Sequence, residues 1–262
     1  VRDFATNEVK PLAAQIDEEG KCPVEIMKKA AGLGLFGITI DEEYGGSGGD
    51  YLSMAIAAEE LCRASASVGT VFLASLSLAC YPIYKFGNEE QKRKFVTPIA
   101  KGEKMACFAL TEPGAGSDAA ALETSAKLQG DNYVLNGTKI FITNGAEAEI
   151  AVVFATTDKS LAHRGINAFI VEKGTPGFSV GKEEHKFGIR GSSTTELIFE
   201  NCQIPTANRL GEEGRGLRIA MEAIDSSRVT VAAQALGISQ AAFEDALTYA
   251  KDRQQFGQLL IN

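Results

Sequence analysis

The stretch YVLNGTKIFIT, Tyr133 to Thr143, decides the architecture, because an Asn-Gly pair stands between YVL and TKIFIT. Asn136-Gly137 supplies the positive φ that a tight two-residue turn demands, so the stretch predicts two short strands joined as a hairpin. The short apolar run MACFAL precedes it from Met105. IAVVFATT, INAFIVE, GFSV and ELIFEN follow, each bounded by breaks containing Gly, Asn, Asp or Lys. Residues 105 to about 210 therefore read as an antiparallel β-domain.

Moving outward, the period changes to that of helices. On the N-terminal side Pro23 sits where a first-turn proline belongs, ahead of VEIMKKAAGLGLFG. Asp50 can cap a helix that carries Tyr51, Ala55, Ala58 and Cys62 on one face, and Asn88 followed by Glu89 and Glu90 opens another. DEEYGGSGGD, positions 41 to 50, is the loop between them. Beyond Gly214 the helical pattern returns with GLRIAMEAIDSSR, and Leu236, Phe243, Leu247 and Ala250 are expected to form one apolar stripe. Strands are segregated from helices instead of alternating with them, which predicts an α+β protein and argues against a doubly wound parallel sheet. The expected division is a helical domain over 1–104, a β-domain over 105–213 and the first helices of a C-terminal α-domain over 214–262. The sequence opens at Val1 inside a helical pattern and stops at Asn262 straight after LLI, so it reads as an excerpt of a longer protein.

Composition narrows the function. Of 262 residues 45% are hydrophobic and 23% charged, the balance of an ordinary globular protein. Thirty-four acids against 26 bases give a net charge of −8, which disfavours a nucleic-acid partner, since that needs a clustered positive surface. Five scattered cysteines without a CxxC signal neither a disulfide framework nor a zinc knuckle, and suit a reducing compartment. His163 and His185 are too far apart for an HExxH pair, so no metal site is expected and the chemistry calls for a borrowed cofactor. SVGTVFLASLSLACYPIY, positions 67 to 84, is apolar but interrupted by Ser67, Thr70, Ser75 and Ser77 and closed by Pro82. It reads as a buried core helix and not as a membrane span.

Four segments could carry chemistry. FALTEPGAGSDAA, Phe108 to Ala120, contains a match to the GxGxxG/A dinucleotide fingerprint. That fingerprint requires a βαβ unit, yet a hairpin follows, and Asp131 belongs to its lead-in. What the segment offers physically is the Thr111 hydroxyl, then Gly114, Gly116, Ser117 and Asp118 in a loop whose bare amides can approach an anion or a flat ring. A strand-to-helix turn capped by Asp118 is its purely structural alternative. FITNG, Phe141 to Gly145, puts an aromatic and a hydroxyl two residues apart and so on one strand face, which suits a planar heterocycle or simply a sheet surface. FGIRGSSTTELIFENCQIP sets Arg190 beside the hydroxyl run Ser192 to Thr195. Asp225 and Arg228 place an acid and a base inside an apolar helix, where an i,i+3 pair is the ordinary reading; Asp252 and Arg253 similarly suit a solvated helix end.

Taken together, FALTEPGAGSD, FITNG, KFGIRGSSTTELIFENCQIP, SSRVTVAAQALGISQAAFEDALTYA and DRQQFG resemble the acyl-CoA dehydrogenase family, especially its short-chain, butyryl-CoA branch, over essentially the whole chain. The resemblance implies a helical domain, a β-domain and a C-terminal helical domain with FAD between them, and oxidation of an acyl-CoA to the trans-2-enoyl-CoA in fatty acid β-oxidation. It also implies electron transfer to electron-transfer flavoprotein, a homotetramer, and a bacterial cytoplasmic or mitochondrial matrix location. By the same resemblance Phe108, Ala109, Leu110, Thr111, Glu112, Pro113, Gly114, Ala115, Gly116 and Ser117 line the flavin, with Thr111 bonded to the ring and Ser117 near both pyrophosphate and pantetheine. Phe141, Ile142 and Thr143 pack on the ring, and many relatives have Trp at the Phe141 position. Ser192 and the run Asp225, Ser226, Ser227 and Arg228 hold the CoA arm, while Arg253, Gln254 and Gln255 reach FAD in a neighbouring subunit. The family's catalytic Glu is expected beyond Asn262, and the position of the alternative base is Ser227, so no catalytic residue is assigned within this chain and the chain as it stands is expected to dehydrogenate poorly. An acyl-CoA oxidase or flavin monooxygenase of the same fold, and a non-catalytic nucleotide-binding partner subunit, are the alternatives.

Overall fold

The computed structural model describes residues 1–262. Its helices are α1 (Arg2–Phe4), α2 (Ala13–Glu19), α3 (Val24–Gly32), α4 (Tyr51–Ala64), α5 (Ala66–Leu73), α6 (Tyr81–Phe86), α7 (Glu89–Gln91), α8 (Thr97–Ala100) and α9 (Gly216–Asp252). The strands are β1 (Ala106–Ala109), β2 (Ser125–Gln129), β3 (Asn132–Thr143), β4 (Ile150–Thr156), β5 (Ile166–Glu172), β6 (Phe178–Glu183), β7 (Thr194–Pro205) and β8 (Arg209–Leu210), with a small hairpin of β9 (Gln254–Gln255) and β10 (Gln258–Leu259) at the end. Helices, sheet and helix follow one another in that order, as the α+β reading requires.

Local signals are honoured where the backbone needs them. The Asp50 side chain accepts from the Ser53 N–H at the start of α4, and Asn88 and Gln91 form a reciprocal capping box at α7, each satisfying an N–H that the first helical turn leaves open. α5 and α6 are joined through a π-helical stretch, Ala74–Cys80, into one apolar helix, and 78% of its most hydrophobic window is buried inside the protein. This is the interior helix expected at positions 67 to 84.

The sheet runs β6-β7-β3-β2-β4-β5-β8, with β1 added beside β4. It is not purely antiparallel: β1 pairs parallel to β4 over Ala106–Ala109, and Ser125 of β2 makes a parallel bridge to Thr156. The β2–β3 hairpin and a 3-10 turn, Ala119–Ala121, lie between β1 and β4, so no helical crossover follows Gly114 and the dinucleotide fingerprint has no βαβ unit around it. β4 is buried on both faces, with Ile150, Val152 and Phe154 in a core of 40 residues shared with the helices and Ala151, Val153 and Ala155 in a second core of 16 on the far face.

The expected Asn136-Gly137 turn is not formed. Both residues lie inside β3, and the two-residue turn is Gly130-Asp131, between the paired Gln129 and Asn132. Gly137 instead marks a register shift against β7, with φ 151°, and a Cβ built there would fall 2.5 to 2.8 Å from three Thr124 atoms. The glycine answers a close approach of the residue that leads into β2, not a reversal of the chain.

In α9 the anticipated apolar stripe is split in exposure, Leu236 and Phe243 being exposed and Leu247 and Ala250 half-buried, while the helix buries Ile219, Ala220, Ala223, Ser227, Thr230 and Gly237. Small residues win that face because α4 runs close beneath it: a Cβ on Gly237 would lie 2.2 Å from the Glu59 carbonyl oxygen.

Candidate functional site

β3 bulges a second time between Lys139 and Ile142, and there Phe141 takes φ 59°, the left-handed region that an aromatic residue rarely adopts. The bulge turns Phe141 outward, 59% exposed, while Ile142 stays in the far core. At the same level the Ile140 N–H donates to the Thr111 carbonyl at 2.9 Å, which brings the end of β1 beside the bulge. The result is a pocket of about 230 Å³ with Phe108, Leu110, Thr111, Phe141, Ile142 and Thr143 on the sheet side. Ala74 and Leu78 of the π-helical stretch and Ile224 of α9 close the other side. The two halves of the sequence reading, Thr111 and Phe141–Thr143, thus meet in one place although Thr111 and Phe141 stand 30 positions apart.

A buried ion pair holds the Thr111 side in place. Lys139, with no solvent exposure, donates from Nζ to Glu112 Oε1 at 2.7 Å and to the Leu110 carbonyl at 3.1 Å, gripping the residues on either side of Thr111. Glu112 also accepts from the backbone N–H groups of Glu123 and Thr124 at 2.6 and 3.0 Å. Burial pushes the Glu112 carboxyl up, but the Lys139 charge and these hydrogen bonds outweigh it and hold the group below the usual carboxylate range. Burial lowers the Lys139 ammonium against the pull of Glu112, to about 8. The Glu112 side chain is therefore committed to the interior and does not face the pocket.

The loop that follows has room for side chains at its glycines: a Cβ on Gly114 or Gly116 would meet no atom within 4 Å, and neither has positive φ, so the missing side chains leave open backbone there. Ala115 is packed into the core, bridging back to Glu112, while Pro113, Gly114, Gly116 and Ser117 are exposed. Ser117 does not line the pocket. Ala109 is fully buried with its side chain in the far core.

The expected CoA-arm residues divide. Ser192 is buried with its hydroxyl unpartnered, and its carbonyl accepts from Lys186 Nζ at 2.5 Å. On α9, Asp225 and Arg228 are exposed and paired to each other at 3.2 Å, the ordinary i,i+3 arrangement. Ser226 shares a 2.5 Å hydrogen bond with the Tyr51 hydroxyl, and the buried Ser227 hydroxyl donates to the Ile224 carbonyl at 2.8 Å. Arg253, Gln254 and Gln255 lie on the exposed terminal hairpin, whose tip is Phe256-Gly257 with φ 52° and 77°. No carboxylate is among the residues that line the pocket. Sequence reasoning missed Ala74, Leu78 and Ile224; the first two sat in a run read only as core, and a π-helical turn has no residue signature of its own.

Comparison with known proteins matches this arrangement. Residues 1–103, 107–202 and 214–262 match the models "Acyl-CoA dehydrogenase, N-terminal domain", "middle domain" and "C-terminal domain" respectively. The human mitochondrial short-chain specific acyl-CoA dehydrogenase is 53% identical over 256 residues, covering 98% of this chain and 62% of that protein. The structure of butyryl-CoA dehydrogenase from Megasphaera elsdenii superposes with a TM-score of 0.97 at 47% identity, over 100% of this chain and 69% of the other. An acyl-CoA dehydrogenase complexed with FAD from Bacillus anthracis superposes with a TM-score of 0.92 at 41% identity, over 99% and 44%. The chain thus spans about three fifths of the human relative's length, and it belongs to the acyl-CoA dehydrogenase family.

Proposed function

We propose that this chain forms most of the flavin pocket and part of the CoA site of an enzyme that dehydrogenates a short-chain acyl-CoA to the trans-2-enoyl-CoA. The resident cofactor is FAD, the electrons pass to electron-transfer flavoprotein, and the full-length protein works as a homotetramer in a bacterial cytoplasm or mitochondrial matrix. The observation that carries the reading is the convergence of Thr111, Phe141, Ile142 and Thr143 on one pocket, with Phe141 held outward by a left-handed backbone. An exposed aromatic on such a backbone, two threonine hydroxyls and a glycine loop with bare amides together fit a flat ring joined to a pyrophosphate.

FAD, when bound, supplies the two-electron acceptor that no side chain can provide. The protein's own part is to hold, orient and dry the site. Thr111 and Thr143 offer hydroxyls to the polar edge of the ring, Phe108, Phe141 and Ile142 offer apolar surface, and Gly114, Gly116 and Ser117, whose N–H groups are not spent within the loop as that of Ala115 is, offer amides to the phosphates. Ala74, Leu78 and Ile224 exclude water from the reacting carbons. Ser192 and Asp225 to Arg228 hold the CoA arm, and Arg253 to Gln255 extend from an exposed hairpin toward a neighbouring subunit. With the Ser227 hydroxyl donating to Ile224 and no carboxylate on the pocket wall, the α-proton is assigned to a glutamate outside residues 1–262.

The test is to titrate FAD into the ligand-free full-length protein, following flavin fluorescence, and then to add butyryl-CoA anaerobically. Saturable binding followed by bleaching of the visible flavin band is the expected result. Absence of FAD binding would overturn the reading, and oxygen uptake matching substrate turnover would move the protein to the oxidases.

A further inference from the structure

Asn144 is the first residue beyond the pocket wall, and its side chain is buried in the interior. It has no solvent exposure and adopts φ 64°, a left-handed conformation that asparagine tolerates better than most residues. Its Nδ2 donates to the Val71 carbonyl at 2.9 Å, in α5 just ahead of the π-helical stretch, and lies 3.5 Å from the Ala106 carbonyl of β1. Its backbone N–H donates to the Ser193 carbonyl at 3.1 Å, and its own carbonyl accepts from Glu147 and Ala148. The side-chain Oδ1 has no partner. Flipping the amide would set that oxygen against two carbonyl oxygens, so the donor orientation is the one the site enforces.

The position of these contacts gives them meaning. Val71 precedes Ala74 by three residues, and Asn144 directly follows Thr143, so one side chain links the two walls of the pocket. A second stitch runs parallel to it, from the Ala106 N–H to Ser75 Oγ at 3.0 Å. Neighbouring Gly145 leaves no slack, since a Cβ there would sit 2.2 Å from Thr195 Oγ1.

We propose that Asn144 is a positioning residue: through Val71 it fixes the Phe141–Thr143 bulge against the Ala74 and Leu78 wall, and so sets the width of the cleft that receives the flavin. The role of the cleft rests on the function proposed above; the mechanical coupling does not. A purely structural asparagine is available for comparison in Asn208, which is also buried and donates from Nδ2 to the Ile170 carbonyl at 2.8 Å, away from the pocket.

The experiment compares Asn144→Ala with Asn208→Ala in the full-length protein, using amide hydrogen exchange without ligand and FAD affinity as separate readouts. Asn144→Ala should speed exchange over residues 138–145 and 71–78 by roughly tenfold and weaken FAD by roughly fivefold or more, whereas Asn208→Ala should leave both unchanged while lowering the melting temperature. Should Asn144→Ala fail to fold, Asn144→Gly removes the same side chain from a backbone that glycine adopts freely, and carries the test. Wild-type exchange rates in 138–145 and 71–78 in a folded Asn144 variant would overturn the proposal. Faster exchange in a protein that binds no FAD would leave the coupling standing and remove only the flavin reading.

Discussion

β3 departs from its register twice within a few residues, and the two departures have different causes. At Gly137 the backbone shifts because Thr124 approaches too closely for a side chain. At Phe141 the backbone takes a left-handed conformation that carries a large side chain, and that side chain is left mostly in solvent. A strained position that the fold demands belongs to stability. One that turns a large side chain outward at the lip of a pocket belongs to the site.

The residue between the two bulges should give the largest effect. Lys139→Met leaves Glu112 buried without its cation and should cost about 3–5 kcal/mol at neutral pH by urea denaturation. In the wild type Glu112 titrates below its unfolded value of 4.5, so its contribution is present at neutral pH and lost as pH falls through that region. In the variant, burial raises the folded value above the unfolded one and reverses the sign, so the deficit should shrink on acidification. A deficit constant from pH 7 to pH 4 would show that lost packing, not the stranded charge, is responsible. Gly137→Ala should cost on the order of 1–3 kcal/mol, because a Cβ meets Thr124 backbone that cannot swing away. Phe141→Gly should change stability by less than about 1 kcal/mol, since relief of the left-handed strain offsets lost contacts, yet should weaken FAD severalfold. Unfolding comparable to Gly137→Ala would erase the distinction between the bulges. Thr143→Ala should leave the melting temperature in place and reduce FAD affinity about fivefold, the equivalent of one hydrogen bond of about 1 kcal/mol.

What could be read from the sequence was what neighbouring residues settle among themselves. The Asp50 cap and the opening of α7 at Asn88 depend on groups three residues apart, and both formed. The Asn136-Gly137 signal was equally local and failed, because the space that glycine leaves is filled by Thr124, which only tertiary packing brings there. The buried side of α9 was not legible for a similar reason: the close crossing with α4 selects Gly237 and small neighbours there. In the site, FITNG and FALTEPGAGSD were visible as motifs. The Lys139–Glu112 grip and the Asn144 tie join residues 27 and 73 positions apart, and nothing in the local sequence announces either.

α9 touches both halves of the molecule. Near its start Gly216 lies against Asn167 of β5, Ile224 walls the pocket, and further along Gln234 bonds to Thr70 and Glu244 to Arg63. Thirty-seven helical residues span roughly 55 Å as one rigid rod. Bolted across sheet and helices alike, that rod acts as a splint: the two halves cannot swing apart like the jaws of a hinge without tearing it loose from one of them.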